Sequence, residues 1–134
     1  MDEAEKKIAA MIEENREFIL SFAEDIYNHA ELGYKEFRTS EKFKEAMKNC
    51  SDRVEDNLAI TGVKAYLNPE KKDSFSLALL GELDALRIPD HAHVNPETQA
   101  AHCCGHHAQL AGVVGAALAL SDREIADKLD GQVI

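Results

Sequence analysis

Apolar side chains recur at helical spacing over the first part of the chain. Over residues 3–29 they stand three or four positions apart, which predicts one long amphipathic helix with Gly33 as a candidate C-terminal cap. A second helix is predicted to begin at Thr39 or Ser40, residue types that favour the N-cap, and to end near Asn49. We therefore expect two helices before the first strand.

Two strand-like segments follow these helices. Residues 58–67 and 74–80 are rich in β-branched and apolar side chains, and the polar stretch 68–73 between them is typical of a turn, so we expect two neighbouring strands. Glu82 and Asp84 come directly after the second segment, two positions apart. If that strand continues, both carboxylates project from the same face of it.

The remaining residues alternate between loop, helix and strand. Residues 89–101 are polar and predict a loop, and the apolar run after Gly105 or His106 predicts a largely buried helix that ends near residue 121. A short helix is expected over residues 122–129. The final residues, 132–134, have the character of the start of a strand.

Length and charge exclude several classes of function. The chain has 134 residues, 45% of them hydrophobic and 30% charged, as expected for one folded domain. Fifteen basic and 25 acidic residues give a net charge of −10, which repels nucleic-acid phosphates and anionic lipid surfaces. Residues 1–7 lack the apolar stretch of a secretory signal, and the longest apolar run, 110–120, is too short to span a bilayer. The expected location is the cytoplasm, without nucleic-acid or membrane partners.

Histidine and cysteine are concentrated in one segment. Five of the six histidines lie within residues 91–107, together with two of the three cysteines. Cys104 and His106 lie where a loop enters the predicted buried helix, and thiolate and imidazole are donors that suit a zinc-like metal. A reactive thiol is the alternative interpretation, because the start of a helix also favours a thiolate. Cys103 is expected to point away from the site and to pack as a small apolar residue.

A metal site here would be open rather than structural. A single Cys-x-His pair cannot supply the four protein ligands of a structural zinc site, and no second pair with suitable spacing is present. Glu82 and Asp84 are candidates to complete the site, either as ligands or by orienting an imidazole. His102 and His107 are further candidate ligands.

Four motifs follow one another along the chain: His-Ala-Glu-Leu-Gly at 29–33, Thr-Gly-Val-Lys-Ala at 61–65, Gly-Glu-Leu-Asp-Ala-Leu at 81–86 and His-Cys-Cys-Gly-His-His-Ala-Gln at 102–109. In type and order they resemble the motifs of the M-twenty metallopeptidases. The similar branch is the amidohydrolase branch, which includes aminoacylase-like enzymes, aminobenzoyl-glutamate hydrolases and auxin-conjugate hydrolases. The resemblance extends over about residues 20–134.

The resemblance implies an α/β fold, namely the N-terminal part of a mixed-sheet catalytic domain flanked by helices. It also implies hydrolysis of an amide bond in an N-acyl-amino acid, an aminobenzoyl-glutamate-like conjugate or a dipeptide, with two divalent metal ions such as zinc or manganese. By position, Cys104 and His106 match the first metal ligands, and Asp84 matches the acid of the Asp-Ala-Leu motif, as a ligand or an orienting residue. The general-base glutamate of the family has no counterpart in these 134 residues.

The sequence therefore predicts that residues 1–134 are an incomplete portion of a metallopeptidase-like catalytic domain, without its lid or dimerisation domain, and inactive alone. The expected partners are a small N-acyl-amino acid or dipeptide and either a second copy or a complementing chain. Two other interpretations remain open: a non-catalytic metal- or partner-binding remnant whose exposed sheet edge pairs with another chain, and an enzyme with a cysteine nucleophile.

Overall fold

A computed structural model describes all residues, 1–134, and contains five α-helices and six short strands. The helices are α1 (Glu3–Glu14), α2 (Arg16–Asn28), α3 (Phe37–Lys48), α4 (His106–Leu120) and α5 (Arg123–Ala126). The strands are β1 (Val54–Leu58), β2 (Gly62–Ala65), β3 (Ser76–Leu77), β4 (Leu86–Arg87), β5 (Ala100–Ala101) and β6 (Gln132–Val133). The predicted α/β fold is confirmed.

The prediction of one helix over residues 3–29 is wrong, because α1 and α2 are separated at Asn15. The Met11 carbonyl oxygen accepts both the side-chain amide of Asn15 at 2.9 Å and its backbone N–H at 3.1 Å, and Asn15 serves as the C-cap of α1 and the N-cap of α2. The second helix ends at Asn28, with His29 as its C-cap, four residues before Gly33.

Helix α3 begins at Phe37, two residues before the first predicted N-cap. Its start is held by Glu31, whose carboxylate accepts the backbone N–H groups of Arg38 (3.1 Å) and Thr39 (2.8 Å) and the Thr39 hydroxyl (2.8 Å). A carboxylate from the preceding loop thus performs the capping that Thr39 or Ser40 was expected to perform.

The strand prediction is corrected in two ways. A turn interrupts the segment 58–67. Strand β2, which begins at Gly62 within this segment, pairs with β1 (Val54–Leu58) in an antiparallel hairpin. The second segment contributes only β3, and β3 is not the neighbour of β2. Instead, β6 pairs in parallel with β3 and meets Leu67, just after β2, in an antiparallel bridge to Val133. The expected strand at 132–134 is therefore present, as β6, and lies between β3 and Leu67.

Helix α4 forms the centre of the core, as its apolar sequence predicts. It packs against α1, α2 and α3, and its side chains at Leu110 and Val114 are almost completely buried. The main cluster of buried hydrophobic side chains is made by Phe22, Ile26, Phe43, Ala46, Met47, Leu67, Leu110, Ala111, Val114, Ala117 and Val133. None of the helices combines the length and the apolar character needed to cross a membrane.

Candidate active site

The imidazole of His106 lies between two carboxylates at the start of α4. Its Nδ1 is 2.9 Å from the Asp84 backbone oxygen and 3.0 Å from Asp84 Oδ1, and its Nε2 is 3.0 Å from Glu82 Oε2. Both partners of Nδ1 can only accept, so Nδ1 carries the proton and donates it to Asp84. Nε2, on the other side of the ring, faces the Glu82 carboxylate.

Backbone contacts hold residues 81–85 against the start of α4. A Cβ added to Gly81 would lie 2.9 Å from Leu110 Cδ1, so a larger residue at this position would require the Leu110 side chain to move. The Gln109 side-chain oxygen accepts the Glu82 N–H at 3.0 Å, and the Glu31 carbonyl accepts the Ala85 N–H at 2.8 Å. The two carboxylates are thereby fixed relative to His106 by neighbours on both sides.

His102 and His107 form a second pair of imidazoles beside this arrangement. Their ring centroids are 5.2 Å apart, and the ring of Tyr27 is 4.9 Å from that of His107. His102 Nε2 and His107 Nδ1 are buried and make no hydrogen bond. Two buried nitrogens without partners are expected to carry a free-energy penalty unless a ligand, an ion or water joins them.

Both imidazoles of this pair are biased towards the neutral form. Burial, followed by the nearby His107 and His106, lowers the pKa of His102 to about 4. Burial lowers the pKa of His107 as well, and His106 adds to the effect. A neutral imidazole keeps one nitrogen lone pair, so at neutral pH each ring can act as a metal ligand or as a hydrogen-bond acceptor.

The two adjacent cysteines lie on the surface of the loop between β5 and α4. Cys104 is exposed, and its thiol forms no hydrogen bond with His106. Cys103 is exposed too, so the prediction that it packs as a small apolar residue is wrong. No element of the fold covers residues 103–104, which leaves Cys103 nothing to pack against.

The donors suit a divalent metal, although they are not assembled as a complete site. No group of three or more His, Cys, Asp or Glu side chains is arranged to hold a metal ion. The 3.0 Å separation of His106 Nε2 and Glu82 Oε2 is nevertheless close to the roughly 3.3 Å between two tetrahedral zinc ligands. The unpartnered nitrogens of His102 and His107 are further unused donors. The residues present therefore fit part of a metal site.

The structure brings together some of the predicted residues and leaves others apart. Glu82, Asp84 and His106 meet, His102 meets His107, and Cys104 is exposed in the loop before α4 and forms no hydrogen bond with any of them. The sequence prediction missed Gln109 and Tyr27, which position this region through the contacts described above. Glu31 was also missed as a functional position, although it lies within the His-Ala-Glu-Leu-Gly motif.

Comparison with known proteins finds relatives that are named as peptidases and hydrolases. No family model matches the chain. The chain is 26% identical over 132 residues to thermostable carboxypeptidase 2 of Saccharolobus solfataricus, which covers 96% of the chain and 33% of the relative. It is 30% identical over 112 residues to an IAA-amino acid hydrolase of Arabidopsis thaliana, covering 81% of the chain and 25% of the relative.

A solved structure agrees with these relatives. The dinuclear metal-binding peptidase of the M-twenty family from Bacillus subtilis superimposes with a TM-score of 0.71 at 25% identity, covering 86% of this chain and 32% of that one. The chain thus spans a third or less of the length of the proteins it matches. In sequence and in fold, it is a homologue of part of the M-twenty metallopeptidases and amino acid conjugate hydrolases.

Proposed function

We propose that this chain provides part of the catalytic site of a metal-dependent amidohydrolase. The substrate class is an N-acyl-amino acid, an aminobenzoyl-glutamate-like conjugate or a dipeptide, and the reaction is hydrolysis of its amide bond. The observation that carries the proposal is the placement of His106 between Asp84 and Glu82 at 3.0 Å from each carboxylate. The hydrolase and peptidase names of the relatives support the reaction class.

Cys104 and His106 are the proposed protein ligands of a divalent ion, zinc or manganese, in a site that takes two ions when complete. Glu82 is a further ligand candidate because its carboxylate oxygen already lies beside His106 Nε2. A metal bound there would polarise the substrate carbonyl and lower the pKa of a bound water. The name of the Bacillus subtilis structure, a dinuclear metal-binding peptidase, supports this assignment.

The chain's own residues prepare the donors for this role. Asp84 accepts the Nδ1 proton of His106 twice, through its side chain and its backbone carbonyl, which fixes the tautomer and the orientation of the ring. His102 and His107 stay neutral because burial disfavours their charged forms. They can hold a metal ion or accept a hydrogen bond from a substrate without adding positive charge to the site.

We include a cytoplasmic location in the proposal, because three cysteines, two of them adjacent, do not have the pattern of a disulfide framework. Neither Cys103 nor Cys104 makes a hydrogen bond to a histidine, so the geometry gives no support to a Cys-His nucleophile pair. A non-catalytic, metal-binding protein would also bind zinc, and only the absence of turnover by the assembled protein would distinguish it from the proposed enzyme.

Zinc binding to the purified chain tests the ligand assignment. We expect binding to be measurable by competition with a chromophoric chelator. Cys104→Ala and His106→Ala should each weaken it by at least about 100-fold, more than the loss of an orienting neighbour costs. His29→Ala is the matched control, because His29 lies at the exposed end of α2 and bonds only to Asp25. Equal zinc binding by all four proteins would overturn the assignment.

A further inference from the structure

The three cysteines occupy two different environments. Cys103 and Cys104 are both exposed, whereas Cys50 is half-buried and its thiol donates to the Ala46 carbonyl at 3.7 Å. Burial also raises the pKa of the Cys50 thiol, which makes it less reactive at neutral pH. The chain thus presents two accessible thiols on consecutive residues, together with a protected third thiol that can act as an internal reference.

The peptide group between the two adjacent cysteines is not held by backbone hydrogen bonds, although the backbone on either side of it is. The Cys103 carbonyl and the Cys104 N–H form no hydrogen bond within the protein, so the peptide group that joins the two residues is not held by the fold. Gly105 follows with φ +91°, and a Cβ built there would meet no atom within 4 Å. Rotation of the Cys103–Cys104 peptide group therefore breaks no backbone hydrogen bond.

We propose that Cys103 and Cys104 are a redox-active dithiol that low-molecular-weight disulfides, such as oxidised glutathione, convert reversibly into a disulfide between the two residues. Neighbouring Cα atoms are about 3.8 Å apart, closer than the usual 4.4–6.8 Å of a disulfide, so the product is strained. Strained and exposed disulfides are readily reduced, which makes the modification reversible.

The reaction proceeds by two thiol–disulfide exchanges. One cysteine, as its thiolate, attacks a sulfur of oxidised glutathione, which forms a mixed disulfide and releases one glutathione thiolate. The neighbouring cysteine then attacks the protein sulfur of the mixed disulfide and releases the second glutathione. The protein loses two electrons and two protons, and oxidised glutathione gains them as two molecules of the reduced thiol.

The modification would control metal binding, and this consequence rests on the proposed function. A sulfur in a disulfide has no thiolate to offer a metal, so the oxidised chain lacks the Cys104 ligand. Conversely, a metal held by Cys104 blocks its exchange with a disulfide. At a free zinc concentration ten times the dissociation constant, only about a tenth of the chain is metal-free, so oxidation should be about tenfold slower.

Peptide mass mapping of the metal-free chain treated with oxidised glutathione tests the proposal. Cleavage after Lys and Arg places both residues in one peptide, 88–123, and Cys50 in another. We expect the mass of the 88–123 peptide to fall by two hydrogens on oxidation and to be restored by a reducing agent. Cys50 should stay reduced throughout. Cys103→Ser and Cys104→Ser, both at exposed positions, should each stop at the mixed disulfide.

The outcomes separate this proposal from the ligand assignment. A wild-type chain that accumulates only the mixed disulfide, or a disulfide-linked dimer, overturns the intramolecular pair. If the pair forms but saturating zinc does not slow it, the dithiol stands and the role of Cys104 as a ligand fails. If zinc protects Cys104 from glutathione but no intramolecular disulfide forms, the ligand assignment stands and the dithiol fails.

Discussion

The clearest test of how the fold supports the site is the substitution Glu31→Ala. The carboxylate of Glu31 caps α3 by accepting the N–H groups of Arg38 and Thr39, and it also accepts the Thr39 hydroxyl. Loss of a helix cap costs about 0.5–2 kcal/mol. Thr39 is 0% exposed, so in Glu31→Ala its hydroxyl becomes a buried donor without a partner, which destabilises the fold by about 1–3 kcal/mol more.

These contributions predict that Glu31→Ala lowers the free energy of unfolding by about 3 kcal/mol. With a typical urea dependence of about 2 kcal/mol per molar, the unfolding midpoint should fall by about 1.5 M. Urea titration followed by circular dichroism measures this shift. Glu45→Ala on the exposed side of α3 is the control and should change stability by less than about 0.5 kcal/mol.

A double-mutant cycle identifies the hydroxyl contribution. In Glu31→Ala/Thr39→Val the buried hydroxyl is gone, so removal of the carboxylate should cost less than it does beside the native Thr39. The expected coupling energy is about 1–2 kcal/mol. If Glu31→Ala is no more damaging than Glu45→Ala, or if the cycle shows no coupling, Glu31 is not the capping group described here.

Three further outcomes are expected. Asp84→Asn should weaken zinc binding by about 10–100-fold in the chelator competition assay, because the amide no longer holds His106 by charge; Asp90→Asn, at an exposed position, should bind like wild type. The 134-residue chain with added zinc, manganese or cobalt should show no turnover of N-acyl or aminobenzoyl amino acids, because no three His, Cys, Asp or Glu side chains are arranged to hold one metal ion. Metal-dependent activity that disappears in Cys104→Ala would contradict this. The hydrogen bond from Arg38 lowers the pKa of Asp25, so the folded state favours the carboxylate. The stability gained from this pair is present at pH 7 and is lost as the pH falls below the ordinary aspartate pKa of about 3.9. Asp25→Asn should therefore lower the free energy of unfolding by up to about 1 kcal/mol at pH 7, and by less near pH 3. If urea titrations show the same difference between the variant and the wild type at both pH values, the Asp25–Arg38 pair is not its cause.

The local pattern in the sequence was sufficient for α4, because the apolar run that begins after His106 has no alternative to burial. The strand expected to continue through Glu82 and Asp84 is absent, and both carboxylates reach His106 from irregular backbone. Contacts between distant residues were not predictable in this way. The cap from Glu31 lies outside the helix it stabilises, and nothing in the local pattern indicates that β6 lies between β3 and Leu67.

The exposure of Cys103 was missed for a related reason. A small, weakly polar side chain next to a buried helix is most often packed, and residue type alone does not reveal that no other element covers this loop. The burial of His102, only two positions away from Cys104, shows how sharply exposure changes within one loop.

The position of β6 has a consequence for the order of folding. Val133 pairs with Leu77 on one side and with Leu67 on the other, so both connections close loops of more than fifty residues. Such distant pairings raise the contact order and slow folding, whereas the hairpin of β1 and β2 closes locally. During synthesis on a ribosome, the hairpin can form early, but the strands around β6 cannot join until residue 133 has left the exit tunnel. The segment that carries Glu82 and Asp84 follows β3 directly, so the arrangement around His106 is expected to be among the last parts of the protein to become ordered.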